Sequence, residues 1–416
     1  MLKRIWIIGA ILLVVTVIST AFFLIQNDIQ SVTMTRDQKS SETVKTTNTF
    51  QSPMMYRADA ARTGNYNNVS GGIVPKGQLK WKYELDSYEP GPPIVGQDAV
   101  YLITPLNGTF AINATTGVLI WNNRDIGSST SAPAVAGGSV FIPPWDLYSI
   151  DAETGSVRWR SKGGNSFHSS PAFAYGSVYI GNGDKNLYAF NPETGQVRWN
   201  CTTIGSVNTV AVADGRVYAT SIHKNITVAK GMDRSKDIIK TDSRVYALNV
   251  KDGTQKWVFT PLEMLSYCGP VVADGIVYIG TDFNNNILYA LDAQTGAILW
   301  NQTINISLSS PAIAEDTLYI GSEDNHLYAL DAKTGAQKWK FSVRESEMPG
   351  GVVSSPAYAD GVIYFGDLNG NLYALDAKTG TLHWTFTAGG YIWSSPFVSN
   401  GVVYFSGGDG YLYAIE

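Results

Sequence analysis

One short stretch of sequence recurs along this chain and constrains its fold more than any other feature. Tyr328–Trp339 reads YALDAKTGAQKW, and Tyr289–Trp300 and Tyr373–Trp384 differ from it at few positions. Looser copies give a shared pattern of Ala-x-Asp-x-x-Thr-Gly-x-x-x-Trp. The tryptophans that end these copies, or match their ends, are Trp81, Trp121, Trp159, Trp199, Trp257, Trp300, Trp339 and Trp384. Spacings near 40 residues at this regularity are typical of repeat architectures.

Each repeat unit predicts four short β-strands. Apolar and polar residues alternate within a unit, and clusters of Gly, Asn and Asp separate the alternating runs. In Leu-Tyr-Ala-Leu-Asp, successive side chains point to opposite faces and both faces are apolar, as in a sheet that is covered on both sides. Four strands per unit of about 40 residues, repeated around an axis, indicate an all-β fold of the β-propeller type.

The two ends of the chain predict the number of blades. The last unit stops at Glu416, before a Thr-Gly-x-x-x-Trp strand, and residues 78–85 form a Trp strand that no blade precedes. Joining these two ends gives eight blades, the last one built from both termini. This closure removes the exposed strand edges of an open ring.

The recurring Trp and Gly residues have a structural explanation. Each Trp can bury up to ~200 Å² of surface, and we expect the eight tryptophans to dock one blade on the next. The Asp-x-x-Thr-Gly turn requires one residue at positive φ, which Gly adopts without strain. These positions are therefore predicted to be scaffold.

The repeat resembles the tryptophan-docking motif of the pyrroloquinoline quinone (PQQ) type of propellers. That group includes quinoprotein alcohol dehydrogenases and BamB-like scaffold proteins of bacterial outer-membrane assembly. Residues 56–64, YRADAARTG, are similar to a lead-in of the form Arg-x-Asp-x-x-Arg-Thr-Gly found in such proteins. The resemblance covers about residues 54–416 and implies a fold, since one fold can carry several functions.

The N-terminal region predicts a membrane anchor and a stalk. Ile5–Ile25 is a run of 21 residues without a charge, long enough to cross a bilayer. Residues 1–26 are therefore predicted to form a retained transmembrane helix, with an uncleaved or cleaved signal as the alternative. Lys3 and Arg4 place the N-terminus inside and the propeller outside the cytoplasm. Residues 27–52 are polar and predict a flexible stalk before a propeller spanning 53–416.

Composition excludes some partners. The chain carries 30 basic and 35 acidic residues, a net charge of −5, and no run of Lys or Arg, which argues against nucleic-acid binding. It has two cysteines, too few for a disulfide scaffold. The four histidines fall in separate units without metal-ligand spacing, and no metal site is predicted.

Departures from the repeat indicate where a binding surface lies. Loops that lead into the innermost strands and loops that join the middle strands share one face of a propeller. Three irregular segments fall on that face: an insertion within residues 221–242, a long loop at 342–351, and Pro143-Pro-Trp-Asp146. Together with aromatic residues before the recurrent Ser-Ser-Pro, they supply the candidate binding residues Trp145, His168, His223, Lys224, Tyr267, Arg344, Glu345, Tyr391 and Trp393.

The sequence predicts no catalytic residues. The resemblance to quinoprotein dehydrogenases implies an adjacent Cys pair, a Trp under the cofactor and a Glu-Asn-Asp set around calcium, yet Cys201 and Cys268 are not adjacent and no such set can be carried over. Asp367-Leu-Asn-Gly-Asn371 and similar segments superficially resemble calcium loops but recur as hairpin turns. PQQ and calcium are thus possible but unsupported.

Three hypotheses follow for function. The first is a membrane-anchored, extracytoplasmic scaffold that binds an envelope protein or a surface polymer, in cell-envelope assembly or surface binding. The second is a PQQ-dependent, dehydrogenase-like enzyme. The third is a carbohydrate-binding or adhesion module, suggested by Trp145, Tyr391 and Trp393.

Overall fold

The alternating pattern of each repeat forms one antiparallel sheet of the propeller. The computed structural model describes residues 54–416 except 61, 88, 128, 164, 168, 228–237, 263–264, 266–268, 282–285, 307–308 and 345–350, and only the backbone of 224–227 and 238–241. Within that range, 33 strands form eight sheets, which confirms the predicted eight-bladed β-propeller. The strands of each blade are named A to D from the channel outwards.

Blades 1 to 4 follow one another along the chain. Their strands are β3 (Ile94–Gly96), β4 (Ala99–Thr104), β5 (Gly108–Asn113) and β6 (Leu119–Asn123) in blade 1; β7 (Ala134–Ala136), β8 (Ser139–Ile142), β9 (Leu147–Asp151) and β10 (Val157–Ser161) in blade 2; β11 (Ala172–Ala174), β12 (Ser177–Gly181), β13 (Asn186–Phe190) and β14 (Val197–Thr202) in blade 3; and β15 (Ser206–Ala213), β16 (Arg216–Thr227), β17 (Ile238–Asn249) and β18 (Gln255–Phe259) in blade 4.

Blades 5 to 8 repeat the same order. Their strands are β19 (Val271–Ala273), β20 (Ile276–Gly280), β21 (Ile287–Asp292) and β22 (Ile298–Thr303) in blade 5; β23 (Ala312–Ala314), β24 (Thr317–Gly321), β25 (His326–Asp331) and β26 (Gln337–Ser342) in blade 6; β27 (Ala357–Ala359), β28 (Val362–Gly366), β29 (Asn371–Asp376) and β30 (Leu382–Thr387) in blade 7; and β31 (Phe397–Ser399), β32 (Val402–Ser406), β33 (Tyr411–Ile415) and β2 (Leu79–Glu84) in blade 8.

Both faces of each blade are buried, as the apolar pattern predicts. In strand β25, Leu327 and Ala329 pack in a hydrophobic cluster shared with blade 7, whereas Leu330 packs in a cluster shared with blade 5. One strand therefore contributes side chains to the hydrophobic cores on both faces of its sheet. Each face of blade 6 is covered by a neighbouring blade, so its burial requires both neighbours.

The recurring Trp joins each blade to the next. The indole Nε1 of Trp300 donates a hydrogen bond to the carbonyl oxygen of Ala332, 3.0 Å away in blade 6. Its ring lies against Gly335, where a Cβ atom would be 2.8 Å from Cε3 of Trp300. Gly335 also has φ of +74°, so the Thr-Gly turn needs glycine for its backbone and for the docked indole. Six further pairs repeat this contact: Trp81–Gly117, Trp121–Gly155, Trp159–Gly195, Trp199–Gly253, Trp257–Gly296 and Trp339–Gly380.

The last blade combines the first Trp strand of the repeat region, β2, with the last strand of the chain, β33. Strand β2 pairs antiparallel with β33, with Trp81 opposite Ala414, which confirms the predicted closure. The eighth docking Trp, Trp384, donates from Nε1 to the carbonyl oxygen of Pro75 at 2.8 Å and lies against Gly77. The segment before β2 therefore replaces the Thr-Gly turn that the last repeat lacks.

A short strand from the N-terminal side adds an element that the repeat does not predict. Strand β1 (Met54–Met55) pairs antiparallel with β7, so the sheet of blade 2 has five strands. Strand β1 is the first part of residues 54–70, which we term the plug segment.

The predicted transmembrane helix at 1–26 and stalk at 27–52 lie outside the described residues. No helix in the described part of the chain is long and apolar enough to cross a membrane.

Candidate binding face

The loops that precede the A strands and those between the B and C strands lie on one side of the ring, which we term the loop face. Asn107, between β4 and β5, donates from Nδ2 to the carbonyl oxygen of Asp86 at 2.8 Å, in the loop that leads to β3. Asn369 makes the equivalent bond to the carbonyl oxygen of Arg344 at 3.1 Å. These bonds tie the two classes of loop together. The opposite side carries the A–B and C–D turns and is termed the turn face.

The plug segment lies against the inner strands around the channel and forms backbone hydrogen bonds with them. The carbonyl oxygen of Ala60 accepts from Val212 N in blade 4, that of Thr63 from Ile313 N in blade 6, and that of Gly64 from Tyr358 N in blade 7. Tyr66 packs edge to face on Phe397 of blade 8, with ring centroids 4.7 Å apart. One short segment thus contacts A strands on several sides of the channel.

Two buried arginines hold the plug in place. Arg57 is 2% exposed and donates from Nη1 to the carbonyl oxygen of Ser310 at 2.9 Å and from Nη2 to that of Pro311. Arg62 donates from Nε to Val210 O at 2.8 Å and from Nη2 to Ser170 O at 2.6 Å. Burial lowers the pKa of Arg62 to about 10, which leaves the guanidinium charged at neutral pH. The hydrogen bonds that Arg62 donates to the blades end on backbone carbonyl oxygens rather than on carboxylates.

These arginines lie in the lead-in motif noted in the sequence, but their role could not be predicted from it. The acceptors that the blades supply to them are 108 to 254 positions away along the chain. The sequence feature that set this segment apart is the presence of two Arg and one Asp in a stretch without the alternation of apolar and polar residues that marks the strands. The Asp acts within the segment itself, because Asp59 accepts hydrogen bonds from the backbone N of Thr63 at 3.0 Å and from its hydroxyl at 2.5 Å.

The serines of the Ser-Ser-Pro phrases bond the backbone around the channel. Ser309 Oγ donates to Ser354 O at 3.3 Å, and Ser354 Oγ donates to Ser394 O at 3.1 Å. In turn, Ser355 Oγ accepts from Ser310 N at 3.0 Å. These hydroxyl groups link successive blades, which makes them part of the scaffold and not of a nucleophilic site.

Tyr391 and Trp393 form an aromatic pair at the mouth of the channel. Both lie in the loop that leads to β31, and their ring centroids are 5.1 Å apart with the planes tilted by 40°. Trp393 is 47% exposed. The pKa of Tyr391 is raised, first by burial and then by the nearby carboxylate of Glu89. The pair borders a pocket of about 250 Å³.

Trp145 lies on the loop face, in the short loop between β8 and β9 of blade 2, and its neighbours hold that loop in place. The next residue, Asp146, is buried, forms an ion pair with Arg160 and accepts a hydrogen bond from Gly163 N at 3.1 Å. The Arg160 guanidinium lies 5.4 Å from the Tyr148 ring centroid. Trp145 itself is 47% exposed, so the corner presents an indole to solvent from a fixed base.

The insertion at 221–242 forms an extension of two strands. β16 and β17 are 12 residues each and pair as far as Thr227 opposite Ile238. His223, opposite Asp242, lies where this ladder passes beyond the other blades on the loop-face side. The side chain of Lys224 lies outside the described residues, as does the tip at 228–237.

The remaining candidate residues are only partly described. Arg344 is exposed in the loop before β27, on the loop face. His168, Tyr267 and Glu345 lie outside the described residues. The structure therefore places Trp145, His223, Arg344, Tyr391 and Trp393 on the loop face, and brings Tyr391 and Trp393 into contact.

The turns that resemble calcium loops use their carboxylates internally. Asp367 Oδ1 accepts from Asn369 N at 3.0 Å and from Asn371 N at 2.8 Å, while Oδ2 accepts from the Tyr373 hydroxyl at 2.9 Å. Among the described residues, no group of three or more His, Cys, Asp or Glu side chains is placed to hold a metal ion.

The residues of the mouth pocket do not fit PQQ. PQQ is a tricarboxylate, and the one ionisable acid or base among the described pocket residues, apart from the Tyr391 phenol, is the carboxylate of Glu89. The carboxylate of Glu89 would repel the carboxylates of a PQQ molecule in contact with it. The volume of about 250 Å³ is also below the roughly 300–1,000 Å³ of pockets that hold drug-sized ligands.

Solved structures similar to this chain share its fold at low sequence identity. A quinohemoprotein alcohol dehydrogenase from Pseudomonas putida HK5 is 15% identical with a TM-score of 0.69, covering 87% of this chain and 80% of that one. BamB from Moraxella catarrhalis is 15% identical with a TM-score of 0.61, covering 82% and 99%. The computationally designed Ika8 protein is 14% identical with a TM-score of 0.66, covering 82% and 99%. No curated protein matches the chain.

A family model matches most of the sequence. The model described as outer membrane protein assembly factor BamB matches residues 35–144, 145–268, 241–367 and 345–416, so its repeated matches span all eight blades. The chain therefore belongs to the family of outer membrane protein assembly factor BamB.

Proposed function

We propose that this protein is a membrane-anchored, extracytoplasmic scaffold whose loop face binds another protein of the cell envelope. One observation carries the proposal: both exposed tryptophans among the described residues, Trp145 and Trp393, lie on the loop face. The eight docking tryptophans are engaged between blades. Trp is enriched at the centres of protein interfaces and among the residues that contribute most to binding.

The architecture supports a binding role for this face. The plug segment occupies the channel with residues inserted among the A strands, and it is held by buried arginines. A partner on the loop face therefore meets a rigid platform, which limits the conformational entropy lost on binding. The matching family is named for assembly of the outer membrane, which supports an envelope protein as the partner.

The N-terminal sequence supplies the remaining part of the proposal. The uncharged run Ile5–Ile25 after Lys3 and Arg4 supports a single anchor with the propeller outside the cytoplasm. The polar stretch at 27–52 would let the propeller reach a partner away from the membrane surface. No PQQ or metal is expected to take part.

Site-specific photo-cross-linking in cells tests the binding face. A photoreactive phenylalanine analogue replaces Trp145 or Arg344 on the loop face, or Tyr175, which is 58% exposed on the turn face. The proposal predicts a discrete cross-linked protein from the two loop-face positions and none from Tyr175. Cross-links from Tyr175 alone, or from none of the three, would count against it.

The quinoprotein alternative is tested separately, because the dehydrogenase structures share the fold. Purified protein is mixed with PQQ and calcium, and dye-linked alcohol oxidation is measured. The scaffold proposal predicts no oxidation above a protein-free control. Turnover that depends on both additions would replace the proposal with the enzyme hypothesis.

A further inference from the structure

The pocket beside Tyr391 and Trp393 has a chemical character that the scaffold role does not require. It opens on the loop face between the loops that lead into blades 8, 1 and 2, and it has a volume of about 250 Å³. The two aromatic rings line part of the pocket, and Glu89 and Thr130 line another part of it. The space matches the end of one side chain or a small organic ion.

The pocket hydroxyls of Ser394 and Ser406 are already committed to the backbone. Ser394 Oγ donates to Ser406 O at 2.8 Å and accepts from Ser406 N at 2.9 Å. Ser406 Oγ donates to Gly91 O at 3.0 Å. A sugar, which needs many donors and acceptors around its ring, would find few of them here. This arrangement disfavours a glycan as the occupant.

The charges at this edge of the loop face are mainly negative. Glu89 is an exposed carboxylate close enough to contribute to the raised pKa of Tyr391, after the larger effect of burial. Along the adjoining edge, Glu84, Asp409 and Asp86 contribute to raising the pKa of Tyr411, with Glu84 the largest cause. The Lys82 ammonium lies 4.4 Å from the Tyr411 ring centroid, so this edge already pairs a cation with an aromatic ring.

We propose that the pocket binds an organic ammonium group, with the Trp393 and Tyr391 rings against the cation and Glu89 as its counter-charge. Aromatic faces attract cations through their quadrupole, and a carboxylate beside them adds a direct charge interaction. The inference deepens the proposed function and rests on it for the main source of the group, a lysine side chain of the protein partner. A free small amine is the other source of the same chemistry.

The experiment uses the purified full-length protein in detergent. ¹⁹F NMR of protein labelled with 5-fluorotryptophan follows the Trp393 signal, and saturation-transfer difference NMR of each probe measures binding to every variant, including the one that lacks Trp393. Three probes are titrated: Nα-acetyl-lysine amide, choline, and 3,3-dimethyl-1-butanol, the neutral carbon analogue of choline. Glu89→Gln and Trp393→Leu alter the pocket. Trp145→Leu is the matched control, because Trp145 is equally exposed on the same face and lies outside the pocket.

Saturable shifts of the Trp393 signal with a cationic probe, and about two- to fivefold weaker binding of the neutral analogue, are expected. Glu89→Gln and Trp393→Leu should weaken cation binding by at least that factor, and Trp145→Leu should leave it unchanged. Tighter binding of the lysine probe than of choline identifies the partner side chain as the source, and the reverse identifies a free amine. Equal binding of the neutral analogue, or no effect of Glu89→Gln, overturns the proposal.

The pocket and the scaffold role can fail independently. Cross-linking from Trp145 and Arg344 reports the protein partner without using a pocket residue. Cross-links without cation binding would remove the ammonium site and keep the scaffold. Cation binding without cross-links would keep the site and remove the protein partner.

Discussion

Trp384 and Gly77 meet at the closure of the ring, although they come from opposite ends of the propeller sequence. A Cβ atom on Gly77 would lie 2.8 Å from Cδ2 of Trp384, and the indole Nε1 bonds the carbonyl oxygen of Pro75 at 2.8 Å. The contact reproduces the Trp–Gly docking of the other blades with a segment that is not part of any repeat. The last blade is thus secured by an indole as well as by strand pairing.

Gly77→Ala is expected to destabilise the propeller by about 1–3 kcal/mol. The residue has φ of +84°, which costs an alanine backbone strain, and the added methyl group collides with Trp384. Gly72→Ala is the matched control, since Gly72 has φ of +67° but a methyl group there would meet no atom within 4 Å. Urea unfolding of both variants separates strain from collision. Equal losses in the two variants would show that docking at Gly77 contributes little.

Arg62→Met is expected to lower the free energy of unfolding by at least about 2 kcal/mol. The change leaves the carbonyl oxygens of Val210 and Ser170 without their buried donors. Arg344→Met, on the exposed loop face, serves as the control and should change stability by less than about 0.5 kcal/mol. Thermal unfolding measures both. A variant of Arg62 as stable as the wild type would contradict the plug as a stabilising element.

Stability is expected to fall as the pH rises from about 10 to about 12. Burial raises the pKa of Tyr319 to about 12, whereas the unfolded chain releases that proton near pH 10. The folded state then binds more protons than the unfolded state, so the stabilisation is complete below pH 10 and lost through pH 12. Arg62 acts in the opposite sense because its pKa is lowered. Among the tyrosines that the structure describes, however, four have a pKa raised to about 12: Tyr188, Tyr319, Tyr328 and Tyr413.

The measurement is the free energy of unfolding at several alkaline pH values, with tyrosinate absorbance recorded in parallel. Tyr319→Phe removes one of the protons and also the hydrogen bond from its hydroxyl to Ala377 O at 3.0 Å. The variant should therefore be less stable at pH 8 and show a shallower decline above pH 10. An unchanged slope would mean that Tyr319 ionises normally in the folded protein.

Most of the fold could be predicted because the repeat encodes it locally. The Thr-Gly turn, the docking Trp and the strand alternation each act within about 12 residues of the sequence, and they recur along the chain. The closure was also predictable, since β2 and β33 each lack what the other supplies. Repetition turned weak local signals into one consistent assignment.

The plug and the mouth pocket could not be predicted, because neither depends on local pattern. Arg57 and Arg62 are satisfied by carbonyl oxygens in blades 3, 4 and 6, which only the closed ring brings to them. The sequence did point to Tyr391 and Trp393 as exceptions to the repeat. Glu89, however, comes from the loop before another blade, and its position beside that pair depends on the closure.

The affinity of the cross-linked partner for variants of the two faces tests the central claim most directly. Purified partner is titrated into the wild-type protein, into Trp145→Ser combined with Arg344→Ser on the loop face, and into Ile73→Ser combined with Tyr175→Ser on the turn face. Ile73 is 60% exposed and lies beside Gly401 in the A–B turn of blade 8. The account predicts at least about tenfold weaker binding by the loop-face variant, as loss of interface anchors implies, and unchanged binding by the turn-face variant. Loss of binding confined to the turn-face variant would contradict it.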